Sequence, residues 1–416
     1  MAAYLSRLHH VSLHVSNVEK VAHELVSRFQ FNVFAARLTD RAKQLALRRG
    51  SAVFVINERQ SEALNGRQSR EHRDSQCLFG ADAHYPVDTV SNVCFEVDDV
   101  QNVSAALRDR GSCEFLQPPT ELQDDRGLVR FSVVRSPVGN VCHTLIDRSR
   151  YRGLFLPGFH QVDSDSQTAG RSQCPITHFD HITFACPRRS SARISRWYRD
   201  TLGFQRFLIH RNEDVEEGFV LNQDGIGLRL TAMEYWKCSE SGITLPFKDE
   251  KEPDCKFVIA ESLPELGRNQ VDTFLDQHRG AGIQHIGLYT EDIVRTAHTL
   301  SRAGVQFFCP PPAYYTEVGK LEEIEAAGLD PHTLSQYGIL LDTDIQTDRR
   351  VTDGQRYLLQ VFTKPIFGED TFFLELIERR GATGFGEGNI RALWRSVKAY
   401  MESEEHVETD RQSTQS

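Results

Sequence analysis

An internal repeat constrains the fold of this chain more than any other feature of its sequence. The segment HHVSLHV at 9–15 is similar to DHITFAC at 180–186, and SNVCFEVDDVQNVSAALRDRGSCEFL at 91–116 parallels IQHIGLYTEDIVRTAHTLSRAGVQFF at 283–308. Each longer copy has the pattern of a strand, an amphipathic helix and a second strand. The repeat therefore predicts an α+β fold in two halves, with two βαβββ modules in each half.

The length of the chain supports a division into two domains. Its 416 residues exceed one ordinary core and suit two domains of about 150 to 200 residues. The segment 155–173 contains FHQVDSDSQTAGRSQ, whose polar composition is typical of a linker. We expect an N-terminal domain at 1–154, a C-terminal domain at 174–397, and a disordered tail at 398–416, which is too polar to bury a core.

Composition excludes several classes of protein. The net charge of -10 argues against a nucleic-acid binder, because such a protein needs a basic face to displace counterions. Nine cysteines without a CxxC pair indicate neither a disulfide framework nor a zinc knuckle, and they fit a reducing compartment. We expect no transmembrane segment, since no apolar run approaches the roughly 18 residues that one needs.

Three strand-like segments each carry one residue that could bind a metal. In the segment 371–377, period-two alternation places Glu375 between Phe373 and Ile377 on one face. A carboxylate in such a position needs a charged partner or a metal. His181 and His285 lie on two other strand-like segments. Together the three residues predict a 2-His-1-carboxylate site for iron(II), which leaves about three coordination positions open.

Each of these residues alone has an ordinary explanation. A single strand histidine is more often a hydrogen-bonded core residue, and an inward Glu more often pairs with Arg. In the repeat, the N-terminal counterparts of the three candidates are His10, Asn92 and Thr144, and Asn and Thr are poor ligands for iron(II). We therefore expect the N-terminal domain to lack this metal site. His9, His10 and His14 are expected to be core residues, because no carboxylate or second histidine strand accompanies them.

The C-terminal half carries four motifs that closely resemble the 4-hydroxyphenylpyruvate dioxygenase family, which includes the 4-hydroxymandelate synthases: GIQHIGLYTEDI, LLQVFTKP, TFFLELIER and GFGEGNIRALW. The resemblance extends over residues 8–396. It implies a two-domain vicinal-oxygen-chelate fold, similar to the glyoxalases and dihydroxybiphenyl dioxygenases. It also implies an iron(II) cofactor, an arylpyruvate and dioxygen as substrates, and a mitochondrial location.

The resemblance further implies a substrate pocket. The residues carried over from the family are Gln270 and Gln360 on the polar side, Phe362, Phe373 and Phe385 in the aromatic wall, and Asn389 in the turn GFGEGN. On composition alone, each Phe would be an ordinary core residue and each Gln a surface or strand residue. In the family the turn opens a last helix that covers the iron, and we expect the same lid here.

Three departures from the family pattern bear on the reaction. Leu230 stands where the dioxygenases have Ser, and Ala260 stands where they have Asn. Both changes remove hydrogen-bonding groups from the predicted pocket. Ile390 stands where homogentisate-forming enzymes have Phe and 4-hydroxymandelate synthases have Ile. The smaller side chain would let the substrate ring move and expose its benzylic carbon.

The sequence therefore predicts conversion of 4-hydroxyphenylpyruvate and dioxygen to 4-hydroxymandelate and CO2, which the resemblance connects to ubiquinone headgroup synthesis. One alternative is a dioxygenase that makes homogentisate. Another is a paralogue that binds a metabolite without catalysis. The expected partners are the small-molecule substrates, with no nucleic acid, and a homodimer is compatible with the sequence.

Overall fold

The computed structural model describes most of both halves of the chain. The described residues are 5–39, 42–58, 85–111, 113–162, 174–209, 213–223, 226–235, 255–263, 268–316, 318–343, 356–382, 384–386 and 388–389.

The first half forms one nine-stranded sheet with helices packed on it. Its elements are β1 (Arg7–Val15), α1 (Val18–Ser27), β2 (Asn32–Thr39), β3 (Ala42–Arg49), β4 (Ala52–Glu58), β5 (Thr89–Glu96), α2 (Val100–Arg110), β6 (Phe115–Asp124), β7 (Gly127–Arg135), β8 (Cys142–Asp147) and β9 (His160–Gln161).

The second half forms another nine-stranded sheet. Its elements are β10 (Ile176–Cys186), α3 (Ser191–Leu202), β11 (Phe204–Phe207), β12 (Phe219–Gln223), β13 (Ile226–Tyr235), β14 (Lys256–Ser262), α4 (Gln270–Gln277), β15 (Gly282–Thr290), α5 (Ile293–Arg302), a 3-10 helix (Pro312–Tyr315), α6 (Val318–Ala326), α7 (Pro331–Tyr337), β16 (Leu340–Thr343), β17 (Tyr357–Phe362) and β18 (Phe373–Arg380).

Strand pairing confirms the predicted α+β fold of repeated βαβββ modules. In the first sheet β1 runs parallel to β4 and antiparallel to β5, which runs parallel to β8. In the second sheet β10 runs parallel to β14 and antiparallel to β15, which runs parallel to β18. Each half thus joins two modules through their first strands. This shared pattern allows positions in the two halves to be compared through the strand register.

One hydrophobic core extends through both halves of the chain. The rings of Phe54 and Phe179 have centroids 5.1 Å apart, and those of Phe95 and Phe257 are 6.0 Å apart. All four side chains are almost fully buried. Aromatic pairs of this kind stabilise a fold by more than their buried area alone. The halves are therefore packed against each other as well as joined along the chain.

The segment predicted to be the linker begins inside the first sheet. Its residues Phe155, Leu156 and Phe159 are buried in a cluster with β2, β5 and β7, and β9 pairs with β2. Three large apolar side chains in eight residues gain more from burial than from exposure. Residues 155–162 consequently pack with the N-terminal half, and the remainder of the predicted linker lies outside the described residues.

Helix α4 begins beside the site described below, and its cap fixes that start. The side chain of Asn269 accepts hydrogen bonds from backbone N–H groups of the first turn. The backbone N–H of Asn269 in turn donates to the carboxylate of Asp272, which completes a capping box. The Asn269 amide also donates to the Gly227 carbonyl at 2.8 Å. This cap therefore anchors Gln270, the first residue of α4, to the sheet.

Three further sequence predictions concern membrane-spanning helices, the C-terminal tail and the lid helix. Among the described residues, no helix is long and apolar enough to span a bilayer. The predicted tail at 398–416 and the predicted lid helix after the turn GFGEGN lie outside the described residues.

Candidate metal centre

Three neighbouring strands, β10, β15 and β18, bring the three predicted ligands together. In the register of the sheet, His181 lies opposite Gly287, and Gly287 lies beside Glu375. His285 lies opposite Thr183, two residues along each strand from the first pair. Because residues two apart on a strand share a face, the three functional side chains project from the same face.

Gly287 provides the space that the ring of His181 occupies. A Cβ at position 287 would lie 2.4 Å from both Cε1 and Nδ1 of that ring, which is far inside van der Waals contact. Glycine in a strand interior often marks such a close approach. The absence of a side chain here therefore lets the imidazole lie flat against the central strand.

The donor atoms of the three residues form a tight, buried cluster. His181 Nε2 lies 3.0 Å from Glu375 Oε2, and His285 Nε2 lies 3.7 Å from the same oxygen. One donor atom from each residue lies within 4.8 Å of the other two. Glu375 is only 1% exposed and His181 3%. The arrangement places two imidazole nitrogens around one carboxylate oxygen in a site almost closed to solvent.

Asp180 and Arg379 orient the ring of His181. A register shift between Phe179 and His181 marks a β-bulge, which turns consecutive side chains toward one side. Asp180 Oδ1 lies 2.9 Å from His181 Nδ1, and Arg379 donates to both Asp180 oxygens at 2.7 and 2.8 Å. With Nδ1–H donating to this carboxylate, Nε2 is the nitrogen that faces Glu375. It donates to Glu375 when the ring is protonated, and it would present its lone pair to a metal when the ring is neutral.

The other histidine is held by different neighbours. Gln284 Oε1 lies 3.3 Å from His285 Nδ1, and a second register shift, between Thr183 and Phe184, lies opposite this pair. The ring of Phe373 stacks on the imidazole of His285 with centroids 4.8 Å apart. Both contacts leave His285 Nε2 free to face Glu375.

A chain of three side chains fixes the carboxylate of Glu375. Tyr314 donates its hydroxyl to Asn389 Oδ1 at 2.9 Å, Asn389 donates to Gln360 Oε1 at 3.0 Å, and Gln360 donates to Glu375 Oε1 at 2.9 Å. All of these groups are buried. Each side chain in this series fixes the orientation of the amide that follows it. Glu375 Oε1 therefore accepts the hydrogen bond from Gln360, and Oε2 faces the two histidines.

Charge in this cluster is set by burial and by the neighbouring carboxylates. Burial lowers the pKa of His285 well below its usual range, and His181 lowers it further. Burial also opposes protonation of His181, but Glu375 and Asp180 outweigh it and raise its pKa to about 9. For Asp180, burial opposes ionisation, but Arg379 outweighs it and holds the pKa well below the usual range.

The residues present fit a divalent metal. Within the described part of the chain, no arginine or lysine pairs with Glu375, so this buried carboxylate requires compensation by its histidines or by a cation. Both imidazoles use Nδ1 elsewhere and present Nε2 to the carboxylate. Two imidazoles and one carboxylate with unfilled positions form the donor set typical of iron(II) oxygenases.

A cavity that is open to solvent lies beside these ligands. Ala260 lies directly opposite Leu230 across the β13–β14 pair, so the two form one apolar patch of the wall. The residues that line the cavity are His181, Thr183, Leu228, Leu230, Val258, Ala260, Gln270, Gln284, His285, Gln360, Phe362, Glu375, Phe385 and Gly386.

Two of the predicted pocket residues play a different part. Phe373 was expected in the aromatic wall. It stacks on the ring of His285, since its position in β18 lies beside His285 in the register, and it is not among the described residues that line the cavity. Asn389 supports Gln360 and does not itself line the cavity. Ile390 lies outside the described residues.

Sequence reasoning missed the residues that orient the ligands. Asp180 and Gln284 immediately precede His181 and His285, and strict alternation places such neighbours on the opposite face. The two bulges overturn that expectation. The only available signal was the presence of a polar residue directly before each histidine.

Replacing Arg379 with Lys should weaken metal binding without unfolding the protein. Lysine lacks the rigid planar fork through which Arg379 donates to both oxygens of Asp180, so the ring of His181 would lose its fixed orientation. Loss of such a supporting contact typically reduces metal affinity by about 10- to 100-fold, and a metal titration would measure this. The control is Arg380→Lys at the next position, where the exposed Arg380 side chain pairs with the buried carboxylate of Glu378. Equal affinities in both variants would contradict the role of Arg379.

Comparison with known proteins first shows which fold class the chain belongs to. Residues 178–321 match the Glyoxalase/Bleomycin resistance protein/Dioxygenase superfamily. A mutant of 4-hydroxymandelate synthase from Streptomyces coelicolor has a similar fold, with a TM-score of 0.71 at 21% identity over 96% of this chain and 99% of that one. The protein therefore has the vicinal-oxygen-chelate fold.

Relatives in sequence then give the family. The 4-hydroxyphenylpyruvate dioxygenase-like proteins of Rattus norvegicus and Homo sapiens are each 42% identical over 96% of this chain and 98% of their own length. The 4-hydroxyphenylpyruvate dioxygenase of Dictyostelium discoideum is 27% identical over 95% of this chain and 98% of its own. This chain belongs to the family of 4-hydroxyphenylpyruvate dioxygenase-like proteins.

Proposed function

We propose that the protein is an iron(II) oxygenase that converts 4-hydroxyphenylpyruvate and dioxygen to 4-hydroxymandelate and CO2. The observation that carries this proposal is the buried cluster of His181, His285 and Glu375 at the wall of an open cavity. Family membership supports oxygenase chemistry at such a cluster.

Each residue of the site would have a separate role in this reaction. His181, His285 and Glu375 would hold iron(II), which when bound supplies the activation of dioxygen for oxidative decarboxylation. Gln360 keeps one oxygen of Glu375 engaged, so that the other is available to the metal. Phe385, whose ring meets that of His181 edge-on at 5.7 Å, excludes water from the cation.

The choice of 4-hydroxymandelate over homogentisate rests on the apolar patch formed by Leu230 and Ala260. These residues face each other in the cavity wall, where the homogentisate-forming relatives carry polar groups. Without those groups the substrate ring is held less firmly. The resemblance of position 390 to the 4-hydroxymandelate synthases supports the same product.

Product analysis tests this proposal. Iron-loaded protein would be incubated with 4-hydroxyphenylpyruvate under air, and the products identified by mass spectrometry. We expect 4-hydroxymandelate, with no product when dioxygen is excluded or when Glu375 is replaced by Ala. Homogentisate as the main product would favour the alternative dioxygenase. No turnover of any arylpyruvate by iron-loaded protein would favour a metabolite-binding paralogue.

The apolar patch also leads to a prediction about substrate preference. We expect kcat/KM for 4-hydroxyphenylpyruvate to exceed that for phenylpyruvate by less than about 100-fold, because an apolar wall discriminates weakly for or against one hydroxyl. The double variant Leu230→Ser, Ala260→Asn should shift the ratio toward the hydroxylated substrate. A wild-type ratio of about 10⁴ would show that other groups bind the hydroxyl strongly.

The cellular location and the oligomeric state of the protein are proposed separately from its reaction. We place the protein in mitochondria, where 4-hydroxymandelate would feed ubiquinone headgroup synthesis, and we propose a homodimer. Fractionation of cells and sedimentation of the purified protein test the location and the assembly. Protein found only in the cytosol, or only as a monomer, would contradict the corresponding statement.

A further inference from the structure

The N-terminal half contains a second arrangement of histidines that corresponds in position to the candidate metal centre. His10 lies opposite Cys94 in the pairing of β1 with β5, as His181 lies opposite Gly287 in the pairing of β10 with β15. A register shift precedes His10, just as one precedes His181. The same bulge in the same place turns His9 toward His10.

The support behind the histidine is also repeated. His9 Nδ1 lies 2.7 Å from His10 Nδ1, and an Arg148 nitrogen lies 3.3 Å from His9 Nε2. In the C-terminal half Asp180 and Arg379 form the corresponding chain behind the ligand histidine. The N-terminal half thus keeps the orienting chain, with an imidazole in place of the carboxylate.

Cys94 is the decisive difference between the two halves. It stands at the position of Gly287, where a Cβ would collide with a ring placed as His181 is. The ring of His10 therefore cannot occupy the same position over the neighbouring strand, although its Nδ1 meets His9 as that of His181 meets Asp180. With cysteine at this position instead of glycine, a thiol lies beside the two imidazoles. One donor atom each from His9, His10 and Cys94 lies within 4.8 Å of the other two.

We propose that His9, His10 and Cys94 form a second cation site, for zinc or another cation that accepts both imidazole nitrogen and thiolate sulfur. Such mixed donors are typical of zinc and unsuited to a hard cation such as magnesium. Two nitrogens on one tetrahedral zinc lie about 3.3 Å apart. The Nδ1 atoms of the two histidines, 2.7 Å apart, would therefore separate by about 0.6 Å. The proton that they share would move to His9 Nε2, which would then donate to Glu96 instead of accepting from Arg148.

The surroundings of the cluster are consistent with a cation. The Glu96 carboxylate lies 3.7 Å from His9 Nε2, and Arg148 lies closer to the same nitrogen, at 3.3 Å. With a metal on Nδ1, His9 Nε2 would carry the proton and turn from Arg148 to Glu96, and a carboxylate behind a metal-binding imidazole strengthens the ligand. Glu96 also pairs with Arg7 at 2.8 Å, so its position is fixed. Burial raises the pKa of the Cys94 thiol, and cation binding would consequently release a proton.

Two buried polar atoms provide an independent indication of a bound group. His10 Nε2 and Asn92 Oδ1 have no hydrogen-bond partner among the described residues, and both side chains are fully buried. Asn92 is two residues from Cys94 on β5, so it faces the same side of the sheet. Buried polar groups are nearly always paired, so these two atoms indicate a bound water or other group beside the cluster.

Cobalt binding tests this site separately from the first one. Full-length, metal-free protein carrying Glu375→Ala, which disables the C-terminal cluster, would be titrated with Co²⁺. We expect one equivalent to bind and to produce the near-ultraviolet charge-transfer band of a thiolate–cobalt bond, which an all-nitrogen and oxygen site cannot give. Zinc should abolish the band by displacement.

Cys94→Ser in the same background should eliminate the band, with circular dichroism unchanged. The matched control is Cys142→Ser, which alters another buried thiol on the neighbouring strand and should retain the band. No band in the Glu375→Ala protein, or a band that persists after Cys94→Ser, would overturn the proposal.

Discussion

Replacing Glu375 with Ala should abolish turnover and reduce iron(II) affinity by more than about 100-fold. Glu375 provides the only carboxylate of the predicted triad, and its Oε2 lies near both imidazole nitrogens. Loss of a supporting group alone costs about 10- to 100-fold in metal affinity, so loss of a ligand should cost more. The measurement is iron retained after desalting, together with turnover of 4-hydroxyphenylpyruvate.

His298→Ala is the control for this experiment, because His298 lies on an exposed face of α5, away from the ligands. It should bind iron and turn over substrate as the wild type does. His181→Ala and His285→Ala should behave as Glu375→Ala does. Normal iron content in Glu375→Ala would refute the assignment of the triad.

Gly287→Ala should have the second largest effect, although it changes no ligand. The new methyl group would lie 2.4 Å from two atoms of the His181 ring. Asp180, itself held by Arg379, prevents the ring from moving freely. The ring must therefore turn away from Glu375, and we expect iron affinity to fall by about 10- to 100-fold, with turnover falling in parallel.

Gly319→Ala provides a matched control in helix α6, where an added Cβ meets nothing within 4 Å. Gly319 is the second residue of this helix, and alanine forms helices more readily than glycine, so this variant should be at least as stable as the wild type and fully active. Thermal unfolding would show whether Gly287→Ala remains folded. Wild-type iron affinity in a folded Gly287→Ala protein would contradict the need for space at this position.

Much of the candidate site could be predicted because its ligands interrupt apolar strands. A carboxylate between Phe373 and Ile377 is conspicuous in a buried strand, and His181 and His285 are the corresponding candidates on two other strand-like segments. The linker was less predictable, since the apolar residues Phe155, Leu156 and Phe159 are followed by a long polar stretch. Their burial in the first sheet depends on a hydrophobic surface made by distant strands.

The sequence by itself determined the repeated modules, the identity of the three candidate ligands and the apolar character of positions 230 and 260. These properties follow from local alternation and residue type. Only the tertiary structure decided that Asp180 supports His181 and that Cys94 lies beside His9 and His10. Such contacts depend on bulges and on the register between strands far apart in the chain, and a shift of one residue reverses which face a side chain occupies.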